Sequence, residues 1–600
     1  MNIKYWLYRL LLWHSKQGRR LNEVVDGLAI LSASFVILLL LYQFGFNLPL
    51  AVREQMTSLN RVLLIVGGFF SLVRFLISFF DEGEKRRKEQ IWAFLVMAVC
   101  MVAYFVPEFF SSIPHASWRY VDFVVLLLIA VFELIRNGVA WISKEISPTW
   151  LFAGSFLILI LVGAGLLMLP RSTQVPITFF QAFFTSTSAV CVTGLTVVDT
   201  DVAFTPFGQF IILILIQLGG IGVMTFTSFF ALFFSGQSSF QNQLIIKDIV
   251  SADNLGDLFR TIRRIVVVTI IIEACGAWLI HRALVQSGNF TSGESIMTAV
   301  FHSVSAFCNA GFSTFQGNLA NASLIGNNSL YLVIAVLIIL GGIGFPLQAN
   351  LIAWVRYRIR KIYYSWQKRP SEVRFRSHLV TLNSRIIIYT TGVLVVFGTL
   401  LLFFTEYHGS LKGLGFWDRL VGAFFWAVTP RTAGFNALGM EQLSELSVLL
   451  IIILMWIGAS PMSTGGGIKT TTLALAWLNV KAVLRQDPHI DMNRRQIHQQ
   501  SVSRAFAVIA VSLMILAVSS GVMKFLEPEV PLVSLLFECC SALSTVGLSL
   551  NLTSTLSQPS QAILVALMFI GRIGILSFIM SFWHGQKFKG YRYPREVVMV

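Results

Sequence analysis

Four glycines, each closing a short apolar segment, are the residues whose type and spacing point to chemistry. They are Gly194, Gly311, Gly434 and Gly547, which lie between 113 and 123 residues apart. A leucine or phenylalanine follows each glycine directly, and a phenylalanine precedes it by ten positions. These preceding residues are Phe184, Phe301, Phe424 and Phe537. Such agreement predicts one local structure that occurs four times.

The four segments suit an ion filter. An apolar stretch of about 10 to 13 residues is too short to cross a bilayer, but it can dip into the membrane and return as a loop. Glycine permits the dihedrals that turn carbonyl groups inward, and a ring of carbonyl oxygens replaces the hydration shell of a cation. Close helix packing would explain one such glycine, whereas four in register favour a selectivity filter. The predicted lining is Val192, Thr193, Gly194, Asn309, Ala310, Gly311, Thr432, Ala433, Gly434, Thr545, Val546 and Gly547.

A second candidate is the segment 460–472, where one proline, three glycines and one lysine interrupt an apolar region. Proline and glycine make a continuous helix unfavourable there. The segment does not read as a phosphate-binding loop, because Ile468 separates the last glycine from the lysine and no predicted strand precedes it. We interpret it as a broken helix just below the filter. Its candidate gate residues are Gly465, Gly466, Gly467 and Lys469.

Two charged residues lie within apolar segments. Arg572 is expected to face the interior of the protein, because an unpaired guanidinium is costly in lipid, and it is the other gate candidate. A structural partner or a side chain that reaches the membrane surface remains the alternative for both Lys469 and Arg572. Glu273 is compatible with a coupling-ion ligand, a partner for a basic residue, or a protonated group at a helix interface.

The elements that must position these residues are membrane helices. Hydrophobic residues make up 56% of the 600 residues and charged residues only 12%, which indicates a polytopic membrane protein. The net charge of +16 does not indicate nucleic-acid binding, because the basic residues fall in alternate loops, as in cytoplasmic loops of membrane proteins. This pattern predicts cytoplasmic termini and about 12 crossings. The six cysteines show no spacing typical of a metal site or a disulfide framework.

The predicted fold is an all-α polytopic membrane protein with four tandem membrane-pore-membrane units in pseudo-fourfold arrangement around one pore. The translocating core occupies 146–600, with units at about 146–255, 256–376, 377–500 and 501–600. Residues 1–145 are predicted to add four N-terminal transmembrane helices, near 27–46, 60–80, 91–110 and 121–142. A second glycine motif follows each filter and suits either helix packing or the pore. It contains Gly219, Gly341, Gly458 and Gly571.

The motifs resemble those of the Trk/Ktr/HKT superfamily of K⁺ transporters over about 146–600. The strings that carry the resemblance are STSAVCVTGL at 186–195, SAFCNAGF at 305–312, TPRTAGF at 429–435, STVGL at 544–548 and STGGGIKT at 463–470. The resemblance implies filter glycines at the four positions, an intramembrane gating loop at 463–469, and Arg572 opposing that loop. A glycine at position 194 implies K⁺ conduction, whereas a serine there would imply Na⁺ selectivity. Met462 departs from the small residue expected at its position.

The sequence therefore predicts K⁺ uptake across the cell membrane and no enzymatic activity. The resemblance further implies a homodimer and a cytoplasmic nucleotide-binding regulatory ring. K⁺ is the transported ion, no covalently bound cofactor is expected, and Na⁺ is a candidate activating or coupled ion. The alternative function is an Na⁺- or H⁺-coupled cation symporter with alternating access, in which Glu273 would take part. A third reading, a nonconducting receptor or scaffold, is disfavoured by the glycines at all four positions.

Overall fold

The computed structural model describes residues 148–235, 256–287, 292–366 and 381–575, apart from a few positions within these ranges, together with scattered positions between 34 and 69. The predicted N-terminal helices lie almost wholly outside the described residues, and so do 85–88 and 587–595, two of the basic loop segments on which the predicted topology depends. The chain separates into two compact units, 1–147 with 169–171, and 148–168 with 172–600. All candidate site residues belong to the second unit.

The described part of the second unit is almost entirely helical, in agreement with the predicted class. Its helices are α1 (Pro148–Leu167), α2 (Phe179–Val190), α3 (Thr200–Ala203), α4 (Pro206–Ser235), α5 (Gly256–Gln286), α6 (Ser292–Cys308), α7 (Asn328–Gly342), α8 (Phe345–Trp366), α9 (Leu382–Thr405), α10 (Phe416–Val428), α11 (Glu445–Trp456), α12 (Thr470–Arg485), α13 (Gln499–Leu526), α14 (Leu532–Leu543) and α15 (Gln558–Ile573). A two-stranded antiparallel ribbon, β1 (Asp491–Met492) and β2 (Arg495–Gln496), lies between α12 and α13.

One order of helices recurs along the chain. A long helix (α1, α5, α9 or α13) is followed by a short one (α2, α6, α10 or α14), and one of the four glycines of the sequence repeat comes after the short helix. The helices α2, α10 and α14 have 12, 13 and 12 residues. At a rise of about 1.5 Å per residue they reach only about 20 Å, which is less than a bilayer core. These three helices therefore have the length of re-entrant segments, whereas α6 is longer, with 17 residues.

Among the described residues, three helices are long and apolar enough to cross a membrane. They contain the spans Arg263–Gln286, Leu382–Thr405 and Gln499–Leu526. Two of the spans that follow the glycine turns are each divided into two helices. α7 and α8 meet at a bend of 106°, and α11 and α12 are separated by the segment that contains the three consecutive glycines. The helix break predicted at 460–472 is therefore present.

The core lies where the short helices pack behind the filter glycines. Phe184, Phe301 and Phe537 are almost completely buried, as their recurrence predicts. Phe424 is different, because it is only partly buried, and its neighbour Phe425 is fully buried. The third short helix thus presents its aromatic side chain to the core one position closer to the glycine than the other three helices do.

In two places a glutamate at the end of a long helix binds the N-terminus of the helix that follows the next short helix. Glu406 follows α9 and accepts hydrogen bonds from the backbone NH and hydroxyl of Ser444, the N-cap of α11, at 3.0 and 2.7 Å. Glu527 follows α13 and accepts from the backbone NH of Ser557, the N-cap of α15, and from the Ser560 hydroxyl, both at 2.9 Å. Each carboxylate satisfies donors at a helix N-terminus, where negative charge is favourable.

We expect the contribution of Glu527 to stability to depend on pH. The hydrogen bonds from Ser557, assisted by Ser560, hold the pKa of the Glu527 carboxyl below its usual value of 4.5. A lowered folded-state pKa stabilises the protein above pH 4.5, and this stabilisation is lost as the pH falls through the folded-state pKa. In detergent, Glu527→Gln should lower the melting temperature at neutral pH, and the difference from the parent should close in acid. Glu529→Gln, an exposed neighbour, is the control, and an equal effect of both changes would contradict the assignment.

Candidate functional site

The chain makes the same backbone turn at each of the four marker glycines. Gly194, Gly311, Gly434 and Gly547 have φ values of 95°, 69°, 75° and 95°. The residue two positions before each glycine is also in the left-handed region, although none of the four is glycine. These residues are Val192, Asn309, Thr432 and Thr545, with φ values of 56°, 59°, 74° and 50°. Left-handed backbone is uncommon for such residues, so its fourfold repetition indicates a strongly supported structure.

The four turns close into a ring. A β-carbon added at Gly194 would clash with the carbonyl oxygen of Ala310, and the same relation holds at each following glycine. The remaining pairs are Gly311 with Ala433, Gly434 with Val546, and Gly547 with Thr193. Each glycine therefore lies against the residue that precedes the next glycine, and the fourth leads back to the first. The structure brings together all twelve residues predicted to line a filter.

Hydroxyl groups from the short helices support the turns. Ser188 and Ser541, six residues before their glycines, accept hydrogen bonds from the backbone NH of Gly194 and Gly547, both at 3.0 Å. Ser305 instead donates to the carbonyl of Phe312 at 2.8 Å. These serines recur in the sequence, but only the structure assigns them partners. They satisfy backbone groups that would otherwise be buried without hydrogen bonds.

The third turn uses a threonine in place of the serine. Thr429, five residues before Gly434, donates its hydroxyl hydrogen bond to the carbonyl of Phe435 at 2.7 Å, which is the bond that Ser305 makes in the second turn. The one-position shift matches the burial of Phe425 in place of Phe424. In the third segment, the buried aromatic residue and the hydroxyl that supports the turn therefore lie one position closer to the glycine than their counterparts in the other segments. This difference explains why its sequence departs from the Ser-Ala pattern of the other three.

The segment between α11 and α12 packs directly against the ring. The backbone NH of Gly466 donates to the Thr545 hydroxyl at 3.0 Å. A β-carbon at Gly465 would clash with the Thr432 hydroxyl, whose oxygen lies 3.1 Å from the side-chain amide of Asn309. Three of the four turns thus present a polar side chain on the side of the ring where this segment lies. Only residues without side chains fit so close to those groups.

The ends of this segment are held by backbone hydrogen bonds. The NH of Ser460 donates to the carbonyl of Gly342 at 3.0 Å, and the NH of Phe345 donates to the carbonyl of Met462 at 3.2 Å. A parallel bridge joins Ile457 to Ile468. Met462 has a φ of 55°, in the left-handed region that glycine adopts most readily. The expectation of a small residue at this position therefore has a backbone reason.

Two cations bind the carbonyls of the segment. Arg572 donates to the carbonyl of Thr464 and, at 2.5 Å, to that of Gly219 in α4. Lys469 donates from Nζ to the carbonyl of Gly465 at 2.7 Å. Arg572 is buried, and both of these partners are backbone carbonyls rather than carboxylates. The predicted opposition of Arg572 to the segment is thus a direct hydrogen bond, and the two cations act on the same short stretch of backbone.

The second glycine motif makes close backbone contacts. β-carbons added at Gly219, Gly341 and Gly571 would clash with the carbonyls of Val190, Phe307 and Leu543. Each of these carbonyls lies four residues before one of the four ring glycines. The helices α4, α7 and α15, which contain Gly219, Gly341 and Gly571, therefore pack against the C-terminal ends of the short helices. Gly458 instead lies against the carbonyl of Gly466. In the third unit the glycine-rich segment takes the place that the short helix has in the others.

Glu273 lies outside the ring. Its carboxylate accepts a hydrogen bond from Gln217 at 3.0 Å, and the Cys308 thiol lies 3.8 Å from its other oxygen. The side chain is buried between α4, α5 and α6. Of the three interpretations of Glu273, a group at a helix interface agrees best with these contacts. Among the described residues, no three His, Cys, Asp or Glu side chains are grouped to hold a metal ion.

Two buried polar side chains beside the ring were missed by the sequence reasoning. His302 and Glu538 each lie nine residues before a filter glycine. His302 hydrogen-bonds Ser313 at 2.9 Å, and Glu538 accepts from Ser549 at 2.6 Å. Both serines lie two residues after their glycines, so each pair ties a short helix to the chain leaving the turn. The equal distances from the glycines could have identified both pairs in the sequence. A search for one repeated residue type misses them, because one member is a histidine and the other a glutamate.

Comparisons with known proteins identify the family of this chain. The sequence model of the TrkH family, described as a cation transport protein, matches residues 151–589. The chain is 34% identical over 458 residues to the Ktr system potassium uptake protein B of Bacillus subtilis, covering 76% of this chain and 97% of that protein. It is 33% identical over 475 residues to the potassium/sodium uptake protein NtpJ of Enterococcus hirae, covering 76% and 98%.

The fold is also similar to a solved structure. The crystal structure of the potassium transporter TrkH from Vibrio parahaemolyticus matches with a TM-score of 0.58 at 16% identity. The match covers 87% of this chain and 98% of that chain. At this identity the likeness concerns the fold, which is that of a helical membrane protein.

We expect the close approach of α4 to the ring to be sensitive to a single methyl group. Gly219→Ala places a β-carbon on the Val190 carbonyl, whereas Gly222→Ala has its nearest neighbour at 3.7 Å. Overpacking of this kind costs about 1 to 3 kcal/mol. Gly219→Ala should therefore lower the melting temperature in detergent by several degrees, and Gly222→Ala should leave it unchanged. Equal melting temperatures for the two variants would show that α4 can move away at little cost.

Proposed function

Because the chain belongs to the TrkH family of cation transport proteins, we propose that it takes up K⁺ across the cell membrane through a filter formed by its four glycine turns. Members of this family are multi-pass helical membrane proteins that transport ions, so the expectations of an all-α membrane protein and of no enzymatic activity are confirmed. The observation that carries the proposal is the closed ring in which each filter glycine contacts the next segment.

The ring suits a dehydrated monovalent cation. Its twelve residues are buried and carry no carboxylate, so backbone carbonyls and the side-chain oxygens of Thr193, Asn309, Thr432 and Thr545 are the available ligands. Neutral oxygen ligands coordinate K⁺ strongly enough for entry and weakly enough for release. The C-termini of α2, α6, α10 and α14 end next to the ring and contribute partial negative charge. We infer a pseudo-fourfold pore, with one unit of 146–600 supplying each quarter.

Uptake needs a driving force, and the membrane potential is sufficient. Moving one monovalent charge inward across about 100 mV is worth roughly 2.3 kcal/mol. The coupled symporter is the rival function, and Glu273 is the carboxylate expected to take part in it. Glu273 contacts Gln217 and Cys308 rather than the ring. Its position supports flux that follows voltage without obligatory Na⁺ or H⁺ coupling.

The glycine-rich segment at 463–469 is the proposed gate. It contacts Thr432 and Thr545 on one side of the ring. Arg572 and Lys469 add two fixed positive charges within hydrogen-bonding distance of its carbonyls. A cation leaving the filter on this side would meet both the backbone of the segment and these charges, which together form a steric and an electrostatic barrier. Opening requires that Gly465, Gly466 and Gly467 leave the ring.

The assembly and orientation follow from the resemblance and from the charge pattern. We expect a homodimer in which each subunit has its own pore, and a cytoplasmic nucleotide-binding ring as the regulatory partner. The alternation of basic loops supports cytoplasmic termini. The N-terminal extension over 1–145 is expected to bind a partner or to regulate transport.

We expect Gly434→Ser to reduce the selectivity of uptake. Gly434 has a φ of 75°, and a side chain there would press on the carbonyl of Val546. Distorting one quarter of the ring should lower K⁺ over Na⁺ discrimination about tenfold, which corresponds to about 1.4 kcal/mol. The measurement is growth and Rb⁺ entry at low external K⁺ in a bacterial host without its own K⁺ uptake, with Na⁺ as competitor.

The matched control for this experiment is Gly439→Ser. A β-carbon at Gly439 has no atom within 4 Å, so this variant should rescue growth with the selectivity of the parent. Unchanged selectivity of folded Gly434→Ser would contradict the filter. Failure of the parent itself to rescue growth, despite membrane insertion, would contradict K⁺ uptake by this chain alone.

We expect Lys469→Ala to raise basal flux. The substitution removes a positive charge from the ion path. It also removes the Nζ hydrogen bond to the carbonyl of Gly465, which holds the segment in place. A barrier lowered by roughly 1.4 kcal/mol gives about a tenfold increase in Rb⁺ flux into proteoliposomes. Lys481→Ala, an exposed lysine on α12, is the control. Deletion of residues 465–467 should act in the same direction, and parental flux in both folded variants would exclude the segment as the gate.

A further inference from the structure

The helix α8 leaves the bundle in a way that the transport function does not explain. It begins at Phe345 and turns away from α7 by 106°. Its first turns are packed, since Leu347 joins a buried cluster with Ile387 of α9. Asn350 donates a hydrogen bond to Ser384 at 2.7 Å. Because Ser384 lies in the first turn of the membrane span Leu382–Thr405, α8 starts at the level where that span begins.

Beyond Asn350 the helix exposes one continuous apolar face. The residues on this face follow at intervals of four, four, three and four positions, which place them on one side of a helix. They are Leu351, Val355, Ile359, Ile362 and Trp366, with exposed fractions of 37%, 45%, 61%, 68% and 91%. Exposure therefore increases toward the end of the helix. Five large apolar side chains in line are more than scattered surface hydrophobics.

Four basic residues lie outside this face in the same part of α8. Its exposed cations are Arg356, Arg358, Arg360 and Lys361, and α8 contains no acidic residue. Arg356 and Arg358 fall on opposite edges of the apolar face, and Arg360 and Lys361 lie on the far side. The guanidinium of Arg358 lies 5.2 Å from the ring centre of Trp354. A helix with one apolar face, tryptophans and a basic opposite side is typical of the membrane interface.

We propose that α8 lies along the surface of the bilayer, with its apolar face among the acyl chains and its cations bound to anionic phospholipid headgroups. The surface is the one at which α9 enters the membrane, and the basic residues identify it as the cytoplasmic side. The bilayer is favoured as the occupant because α8 starts beside a span that the bilayer must surround. Its charge also complements the negative headgroups of that leaflet.

This placement gives α8 a route to the proposed gate. Phe345, the first residue of α8, donates its backbone NH to the carbonyl of Met462 in the glycine-rich segment. Gly344, which precedes it, lies against the carbonyl of Pro461. A displacement of α8 at the membrane surface would therefore move a backbone contact of the segment. This link to the gate rests on the proposed function. The binding of α8 to lipid does not depend on it.

The test places spin labels on two adjacent residues of α8 in the full chain. Ile362→Cys labels the apolar face and Lys361→Cys labels the basic side, in a background of Cys100→Ser and Cys275→Ser. The other four cysteines are buried. Each protein is reconstituted into vesicles of phosphatidylcholine alone or of phosphatidylcholine with phosphatidylglycerol. Electron paramagnetic resonance then measures the collision of each label with oxygen, which concentrates in lipid, and with a water-soluble nickel complex.

In anionic vesicles we expect the label at 362 to collide with oxygen and to be shielded from nickel, and the label at 361 to show the reverse. Shielding at 362 should decrease in neutral vesicles. It should also decrease when Arg356, Arg358 and Arg360 are changed to glutamine. Nickel access at 362 in both lipids would overturn the proposal, because the helix would then project into water. Shielding from both reagents would overturn it in favour of a protein contact, and shielding independent of lipid charge would overturn the headgroup interaction.

None of these outcomes depends on ion flux. Loss of K⁺ uptake with the expected label pattern would contradict the proposed function and leave the lipid contact established. Normal K⁺ uptake with a water-exposed label at 362 would support the proposed function and contradict the lipid contact of α8.

Discussion

Backbone carbonyl groups buried at membrane depth need partners, and the arrangement around the four glycines follows from this constraint. An irregular turn inside a bilayer is tolerated only where protein or a water-filled path satisfies its polar groups. In this chain, serine and threonine hydroxyls of the short helices bind the backbone next to the glycines. Glycines in the second helices let neighbouring backbones approach the ends of the short helices. The turns of the ring are thus held by the helices that surround them.

The same constraint explains why the two cations near the ring have backbone partners. A buried guanidinium is costly unless its donors are satisfied. Arg572 finds the carbonyls of Thr464 and Gly219, and Lys469 finds that of Gly465. Carboxylate partners would cancel their charge, whereas carbonyl partners leave it intact. Two net positive charges therefore remain beside the glycine-rich segment. Because both act on the same stretch of backbone, a displacement of the segment would break both sets of bonds.

The third unit differs from the other three, and its differences are connected. Its core aromatic residue and its supporting hydroxyl lie one position closer to the glycine, so that Phe425 and Thr429 take the places predicted for Phe424 and the recurring serine. Its second helix is broken, and Gly458 packs against Gly466 rather than against a short helix. The glycine-rich segment beside the ring and the one-residue shift before the glycine thus occur in the same unit. One unit has diverged within a repeat whose other members share one geometry.

The sequence by itself determined the features that depend on local chemistry. The four glycines, the short helices before them and the interruption at 460–472 could be recognised because backbone preferences act over a few residues. Tertiary structure alone decided which turn contacts which, the partner of Arg572, and the role of the serines. Arg572 and Gly219 are separated by 353 residues, and no local pattern encodes such a pairing. The one-residue shift around Phe425 was hidden for a related reason, since a repeat predicts equivalent positions and only packing reveals which side chain fills them.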